Sequence, residues 1–314
     1  MPDLLNNILC GSQSNEVTNA SSTQLLNAQS HDWDWDLIEK IGLPKSVFPP
    51  LHQPGSVLGK VRGFSELDGI SVVAVGSHDT ASAVAGIPLS EDGCSAYISS
   101  GTWSLVGLEL KTANTTAETF KSNITNELGV ENRIRFIKNV AGLWMLEESI
   151  RYWRKTGLNL TAKELVEQAG KLKSSGAIVN ARDPKYTKSG PIPEWIAQDF
   201  KDKGAVAPTT PGEFALVIFE SLADAYREVI RELEVASGIE VKQLNIVGGG
   251  SANELLNQLA ANATGLKVIS GPMEATALGN LIVQLIALKE VKDLNEGRRL
   301  IANSIKQKVF VPNV

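Results

Sequence analysis

The chain has 314 residues and a mass of 33.7 kDa; with 43% apolar and 21% charged residues it is excluded from wholesale disorder and is long enough for two lobes or one large domain. Thirty Lys and Arg against 35 Asp and Glu leave a charge of −5, which argues against nucleic acid or an anionic membrane as partner. Two cysteines (Cys10, Cys94) and three histidines offer neither a disulfide framework nor zinc-ligand spacing, and no apolar run reaches the ~18 residues of a membrane span, so a soluble, cytoplasmic protein is expected.

An apolar, helix-like pattern begins within a few residues of Met1. Asn19 to Gln29 predicts a short helix, Ser30-His31-Asp32 a turn, and Asp36 to Ile41 another helical turn. Pro44, Pro49, Pro50 and Pro54 force an extended connection, because proline lacks a donor and restricts its predecessor. Ile70 to Val75 is a β-branched run of the kind a buried strand shows. It ends in Ser77-His78-Asp79-Thr80 and passes into the small-residue stretch Ala81 to Ala85, read as a helix. Cys94 to Ser99 and Trp103 to Leu110 predict a hairpin around Ser100-Gly101-Thr102. Arg133 to Asn139 predicts a strand, followed by Gly142 and a helix on which Glu147 and Arg151 are expected to pair four residues apart.

Thr210-Pro211-Gly212-Glu213 combines a capping box with proline in the first turn, so a helix is expected to start there. Its apolar stripe runs from Ala215 to Leu233, and Gly238 is placed to stop it. Leu244 to Val247 reads as a strand, Gly248-Gly249-Gly250 as a tight loop, and Ser251 to Glu254 as a second capping box. Lys267 to Ser270 (strand), Gly271-Pro272 (turn), Glu274 to Leu288 (helix) and an Asp293-to-Glu296 cap complete the pattern. Strand–loop–helix alternation at this rhythm argues for parallel α/β architecture.

Three places carry candidate chemistry. The triple glycine joins a strand to a helix start, where backbone N–H groups meet an anion; equally, it satisfies a tight turn. Ser100-Gly101-Thr102 offers backbone donors and a hydroxyl, or an ordinary β-turn. Asp79 follows the carboxyl end of a strand, where open α/β sheets bind ligands and a carboxylate can take a hydroxyl proton; the bland reading makes Asp79 or Thr80 a helix cap. His31, His52 and the tryptophans receive no role, and Arg151, Arg154 and Lys155 read as a solvated helix face.

Taken together, these segments resemble the FGGY family of carbohydrate kinases over nearly the whole chain. The resemblance is carried by Met1-Pro-Asp-Leu-Leu5 with Thr23-Gln-Leu25, Gly76-Ser-His-Asp-Thr-Ala-Ser-Ala-Val84, Ser99-Ser-Gly-Thr-Trp-Ser104 and Asn123-Ile-Thr-Asn-Glu127. It continues in Lys138-Asn-Val-Ala-Gly-Leu-Trp144, Ile246-Val-Gly-Gly-Gly250 and Glu274-Ala-Thr-Ala-Leu-Gly-Asn280. The His-Asp-Thr and Thr-Asn-Glu segments favour the branch acting on L-rhamnulose. The resemblance implies an α/β fold of two actin-like, ribonuclease-H-like lobes with ATP and sugar in the cleft between them. Residues 1–92 would be the remainder of the sugar-binding lobe and 93–314 the nucleotide-binding lobe.

The same resemblance implies residue roles. Asp79 matches the catalytic base; His78, Asp79, Thr80 and Asn139 match sugar-binding positions; Gly101, Thr102, Glu147, Gly248, Gly249 and Gly250 match the nucleotide side. Mg²⁺ would accompany ATP without dedicated metal ligands from the chain. The implied reaction is ATP-dependent phosphorylation of L-rhamnulose at its C1 hydroxyl. The alternatives are another ketose, L-fuculose or D-xylulose, or a catalytically incomplete nucleotide-binding fragment. Three departures stand out. The first phosphate hairpin, with its Asp-x-Gly signature, does not occur, so the chain is expected to hold the second lobe and the tail of a first lobe truncated at its N-terminus. Glu147 stands where relatives often carry a Gln that contacts ATP. The cysteine pair that bridges some relatives is absent, so no disulfide is expected.

Overall fold

The computed structural model describes residues 1–313, and the chain divides into two compact units. The first gathers residues 1–93, 108–137 and 274–306; the second takes 94–107, 138–273 and the residues from Gln307 onward.

In the first unit, strand Asn15–Glu16 pairs in parallel with Leu51–His52, and Val57–Lys60 pairs antiparallel with Ser71–Val73. Thr125–Leu128 runs antiparallel to the start of strand Ile134–Val140. The helix expected over Asn19 to Gln29 is instead a turn of α-helix at Val17–Ala20 running into a 3₁₀ turn at Ser21–Thr23, and it ends at Gln24 (φ 62°). The reason lies in three hydroxyls: Ser21, Ser22 and Thr23 each donate to the carbonyl three residues back, at 2.6 to 2.8 Å, which competes with continued α-helix. Trp33, Ile38 and Ala20 form a small buried cluster under Trp35 and Phe48, so these tryptophans are packing residues.

Two helices make the framework of this unit: Asp79–Ala85, whose residues from Thr80 to Ala85 are all buried, and Ala275–Ala287 packed against it. Their axes approach closely because Gly279 has no side chain; a Cβ there would lie 1.8 Å from the Ser82 carbonyl oxygen. Helix Leu294–Ser304 closes the core with Ile301, against Ile282 and Val283. From it, the buried Arg298 donates to Val84 O and to both oxygens of Glu109, which Arg133 also holds. Burial would push the Glu109 carboxyl up, but the two guanidiniums outweigh it and keep it below the usual carboxylate range.

In the second unit, Ser95–Ser100, Gln243–Val247 and Lys267–Ser270 form consecutive parallel pairs, and Lys308–Phe310 adds an antiparallel edge to the last. The hairpin partner of Ser95–Ser100 is Ser104–Leu110, as the spacing predicts. The long helix Pro211–Ser237 starts at the Thr210/Glu213 capping box and ends at Gly238 in the left-handed conformation, both as expected. The second expected capping box differs. Ser251 turns its hydroxyl back to Gly248 O (2.7 Å), a 3₁₀ turn spans Gly249–Ala252, and Asn253 caps helix Glu254–Thr264 through Leu256 N. Asp293 caps Leu294–Ser304 as predicted. Among the described residues no helix is long and apolar enough to cross a membrane.

Candidate active site

In the first unit the site forms at the head of helix Asp79–Ala85. His78, still extended (φ −72°, ψ 122°), is the N-cap, so Asp79 falls in the first helical turn rather than at the cap. The Asp79 side chain is 83% exposed. Its Oδ1 accepts from Thr80 N at 2.6 Å and Thr80 Oγ1 at 3.3 Å, and lies 3.3 Å from His78 Nδ1. Hydrogen bonding from His78 leads, and with the attraction of that ring and the two Thr80 donors it overcomes partial desolvation, holding Asp79 at about 2. His78 Nδ1 is also 3.2 Å from Thr80 N. One ring nitrogen cannot donate and accept at once; Thr80 N has the shorter bond to Asp79, which leaves the Nδ1 hydrogen for the carboxylate. Thr80 itself is buried, its hydroxyl committed to Asp79.

The groups that hold this head in place come from distant parts of the first unit. Glu16, 1% exposed, accepts from Ser77 N at 3.0 Å and Ser77 Oγ at 2.6 Å. Thr18 Oγ1 accepts from His78 N at 3.2 Å. The other ring nitrogen, His78 Nε2, faces Glu127 Oε2 at 3.9 Å, and Glu127 is ion-paired at 3.0 Å with the fully buried Arg135. Thr276 Oγ1 donates to the Asp79 carbonyl at 3.4 Å from the backing helix. The sequence patterns singled out neither Glu16, Thr18 nor Arg135, and Glu127 only as part of the Thr-Asn-Glu segment. A carboxylate 61 residues from its partner has no periodicity to reveal it.

The second unit brings together the expected nucleotide-side residues at the carboxyl ends of its parallel strands. Gly248 (φ 79°) and Gly250 pack on the end of strand Ser95–Ser100: a Cβ on Gly248 would sit 2.7 Å from Ser100 O, and one on Gly250 would sit 1.9 Å from Ser100 Oγ. Gly249 is exposed and opens onto free space. A bare backbone that faces outward, braced on both sides, is what a phosphate or ribose can approach. At the hairpin turn, Gly101 N donates to Trp103 O at 2.8 Å, so that donor is already used. Leu143 N and Trp144 N donate to Gly101 O and Thr102 O, joining the turn to helix Trp144–Lys155.

Thr102 is exposed and its Oγ1 reaches Glu147 Oε1 at 3.4 Å. Glu147 does not pair with Arg151 as expected. Glu148 turns into the unit, accepts from Ser189 Oγ and Gly190 N, and takes Arg151, which also lies 5.6 Å over the Trp144 ring; Glu147 is left outward beside Thr102. Behind the hairpin, burial pushes the Tyr226 phenol up to about 12, while bonds with Ser104 and Ser100 pull the other way, so the phenol stays neutral. Asn139 is exposed near the end of strand Ile134–Val140 and belongs to this second unit, whereas His78, Asp79 and Thr80 belong to the first. Cys10 and Cys94 are not joined in a disulfide.

Comparison with known proteins adds a family and a fold. The profile of the FGGY family of carbohydrate kinases, N-terminal domain, matches residues 1–86, and that of its C-terminal domain matches residues 96–288. The chain is 40% identical over 316 residues to the rhamnulokinase of Bacillus subtilis, covering 99% of this chain and 64% of that protein. It is 38% identical over 319 residues to the rhamnulokinase of Enterococcus faecalis, again 64% of that protein. The chain therefore spans about 64% of the length of these curated relatives. Among solved structures, Plasmodium falciparum glycerol kinase with ADP superposes with a TM-score of 0.74 at 18% identity, over 98% of this chain and 61% of that one.

Proposed function

The chain belongs to the FGGY family of carbohydrate kinases and has its actin-like, ribonuclease-H-like fold, and from that premise we propose that it serves the ATP-dependent phosphorylation of L-rhamnulose at the C1 hydroxyl. Residues 1–92 act as the sugar-side lobe and 93–314 as the nucleotide-side lobe, in a cytoplasmic setting where ATP is at hand. The single observation that carries the reading is Asp79: an exposed carboxylate, ionised and aimed by His78 and Thr80, at the head of a buried helix.

A carboxylate held at about 2 is a weak base, and phosphoryl transfer tolerates that. The transition state is loose, so the attacking hydroxyl loses its proton late, when its acidity has risen. Asp79 orients the C1 hydroxyl of the ketose and takes its proton as the oxygen closes on the γ-phosphorus. Thr80 and His78 keep the carboxylate in place, and Asn139 contributes to holding sugar. On the nucleotide side, Gly248 to Gly250 supply backbone against the nucleotide, and Thr102 supplies a hydroxyl that must leave Glu147 Oε1 to meet a phosphate, since the Gly101 N–H is engaged. The cradle is suited to ATP: a Cβ on Gly248 or Gly250 would strike Ser100, whereas Gly249 faces open space. Mg²⁺ would accompany the ATP on its phosphates, an ion that typically keeps few protein ligands. When bound, that ion neutralises phosphate charge.

The test is sugar-dependent ATP consumption by this chain with L-rhamnulose, L-fuculose and D-xylulose, ranked by kcat/KM. Preference for L-rhamnulose supports the reading, and preference for another ketose replaces the substrate. A second reading, a nucleotide-binding module, rests on the Gly248–Gly250 backbone cradle alone. Calorimetry with ATP separates the two: binding without turnover favours the module.

A further inference from the structure

Glu16 takes no part in the chemistry set out above, yet it is 1% exposed and surrounded by donors. Its Oε1 accepts from Thr18 N at 2.8 Å. Its Oε2 accepts from Thr18 Oγ1, from Asn19 N at 3.2 Å, from Ser77 N at 3.0 Å and from Ser77 Oγ at 2.6 Å. Thr18 Oγ1, having donated to Glu16, accepts from His78 N. One carboxylate and one hydroxyl thus hold two successive backbone N–H groups just before Asp79. From the other side, Ser82 Oγ of the helix donates to Gly76 O, so the loop is fastened at both faces.

We propose that Glu16 is a positioning residue for the phosphoryl-transfer reaction: its carboxylate, with the Thr18 hydroxyl, fixes the peptides of Ser77 and His78 and so sets where the Asp79 side chain emerges. The inference rests on the reading of Asp79 as the base. The charge matters because an ionised carboxylate is acceptor-only with about four lone-pair sites, and the donors here use that capacity. A glutamine of the same shape can keep a carbonyl oxygen in the Oε2 place only by turning its NH₂ against Thr18 N, and as an uncharged acceptor it holds the Ser77 N–H and hydroxyl more weakly. Buried donors losing their partner open the loop, and rotation at Ser77 or His78 swings the next side chain directly. Misplacement by about 1 Å costs on the order of 10²-fold in rate.

The test compares Glu16→Gln and Ser77→Ala with the unaltered chain, by amide hydrogen exchange at Ser77 and His78 and by turnover with L-rhamnulose. For Glu16→Gln, exchange at both amides should speed up by about tenfold or more. At the same time kcat per folded molecule should fall about 10²-fold, with KM for ATP nearly unchanged. Ser77→Ala, which keeps the Ser77 N–H bond, should give the same pattern more weakly, and it carries the test if Glu16→Gln does not fold. Unaltered exchange at the two amides overturns the proposal. So does faster exchange with unchanged kcat per folded molecule, the result of a merely structural role. If the unaltered chain turns over no sugar, the kinase reading fails instead, and the clamp is decided on amide exchange alone.

Discussion

At the head of the Asp79–Ala85 helix, side chains do the placing: a histidine cap, a threonine hydroxyl, and a buried glutamate gripping the peptide before the cap. The Gly248–Gly250 loop carries no side chains of its own, and its backbone is held by its fit against Ser100 and by the Ser251 hydroxyl on Gly248 O. The first arrangement specifies a charge and a direction, so isosteric changes and pH act on it. The second specifies a shape, so volume acts on it and charge does so only through the neighbour Glu147. The contrast matches what each side is asked to do in the proposed reaction. Directing one hydroxyl takes an oriented charge, whereas holding a polyphosphate takes many weak donors on a surface the ligand can reach.

The largest expected effect breaks the charged side. Asp79→Asn keeps the shape and removes the proton acceptor, and kcat should fall on the order of 10²- to 10⁴-fold while KM for ATP stays close to the original value and the melting temperature falls only slightly, because the carboxylate is exposed. Steady-state kinetics checks this, and equal turnover in the two proteins removes Asp79 as base. The pH dependence has a fixed sign. With its folded-state value depressed to about 2, Asp79 favours the folded state above the ordinary carboxylate range and loses that contribution only as pH falls through about 2. Asp79 should therefore contribute no acid limb to a pH–rate profile between pH 4 and 7, and Thr80→Val, which removes only the 3.3 Å hydroxyl bond, should introduce none. A limb appearing with that variant would mean that Asp79 titrates in this range.

The shape-specified side should respond to volume in a graded way. Gly250→Ala forces a methyl to 1.9 Å from Ser100 Oγ, so the loop or the strand end must move. A destabilisation of about 1–3 kcal/mol is expected, together with weaker ATP binding. Gly249→Ala points its methyl into open space. It should leave the melting temperature unchanged and raise only the Kd for nucleotide, by several-fold if the nucleotide lies there. Thermal melts with calorimetry separate the pair, and identical behaviour of the two variants would show that the loop is a plain turn.

How much of this could be read in advance follows from the same division. The glycines, the Thr210/Glu213 and Asp293 caps, the hairpin and the parallel strands are local: a few neighbouring residues dictate them, and they appear where the pattern put them. Asp79 was singled out from its place after a strand, but that strand, Ser71–Val73, lies in an antiparallel pair rather than a parallel α/β sheet, and the role given to Asp79 is a proposal. The misreadings share a cause, a side chain choosing between local partners. Ser21 to Thr23 chose carbonyls three back over helix propagation, Ser251 chose Gly248 O and left the cap to Asn253, and Arg151 chose the inward Glu148 over Glu147. What stayed hidden was non-local. Glu16 against Ser77 and Arg298 against Glu109 join residues that only the fold brings together.

The smallest predicted effect lies where the two kinds of specification meet. Glu147 puts a carboxylate 3.4 Å from the Thr102 hydroxyl, on the exposed face of the turn proposed to meet the nucleotide phosphates. Two penalties attach to it: repulsion of the phosphate charge, moderated by solvent because the side chain is exposed, and competition for the Thr102 hydrogen. Glu147→Gln removes the first and weakens the second without changing shape, and its amide can donate to a phosphate oxygen. The Kd for ATP should fall about three- to tenfold, equivalent to about 0.7–1.4 kcal/mol, with a larger gain at low salt, because exposed charges are screened as ionic strength rises. The kcat should hardly move, since the effect lies in binding. Calorimetric titration with ATP at two salt concentrations decides it. Tighter binding that fades with salt places a net repulsive charge at the phosphates. Weaker binding of the Gln variant would mean instead that the carboxylate helps to hold Mg²⁺ on the nucleotide, and the side now read as pure shape would carry a charged contact of its own.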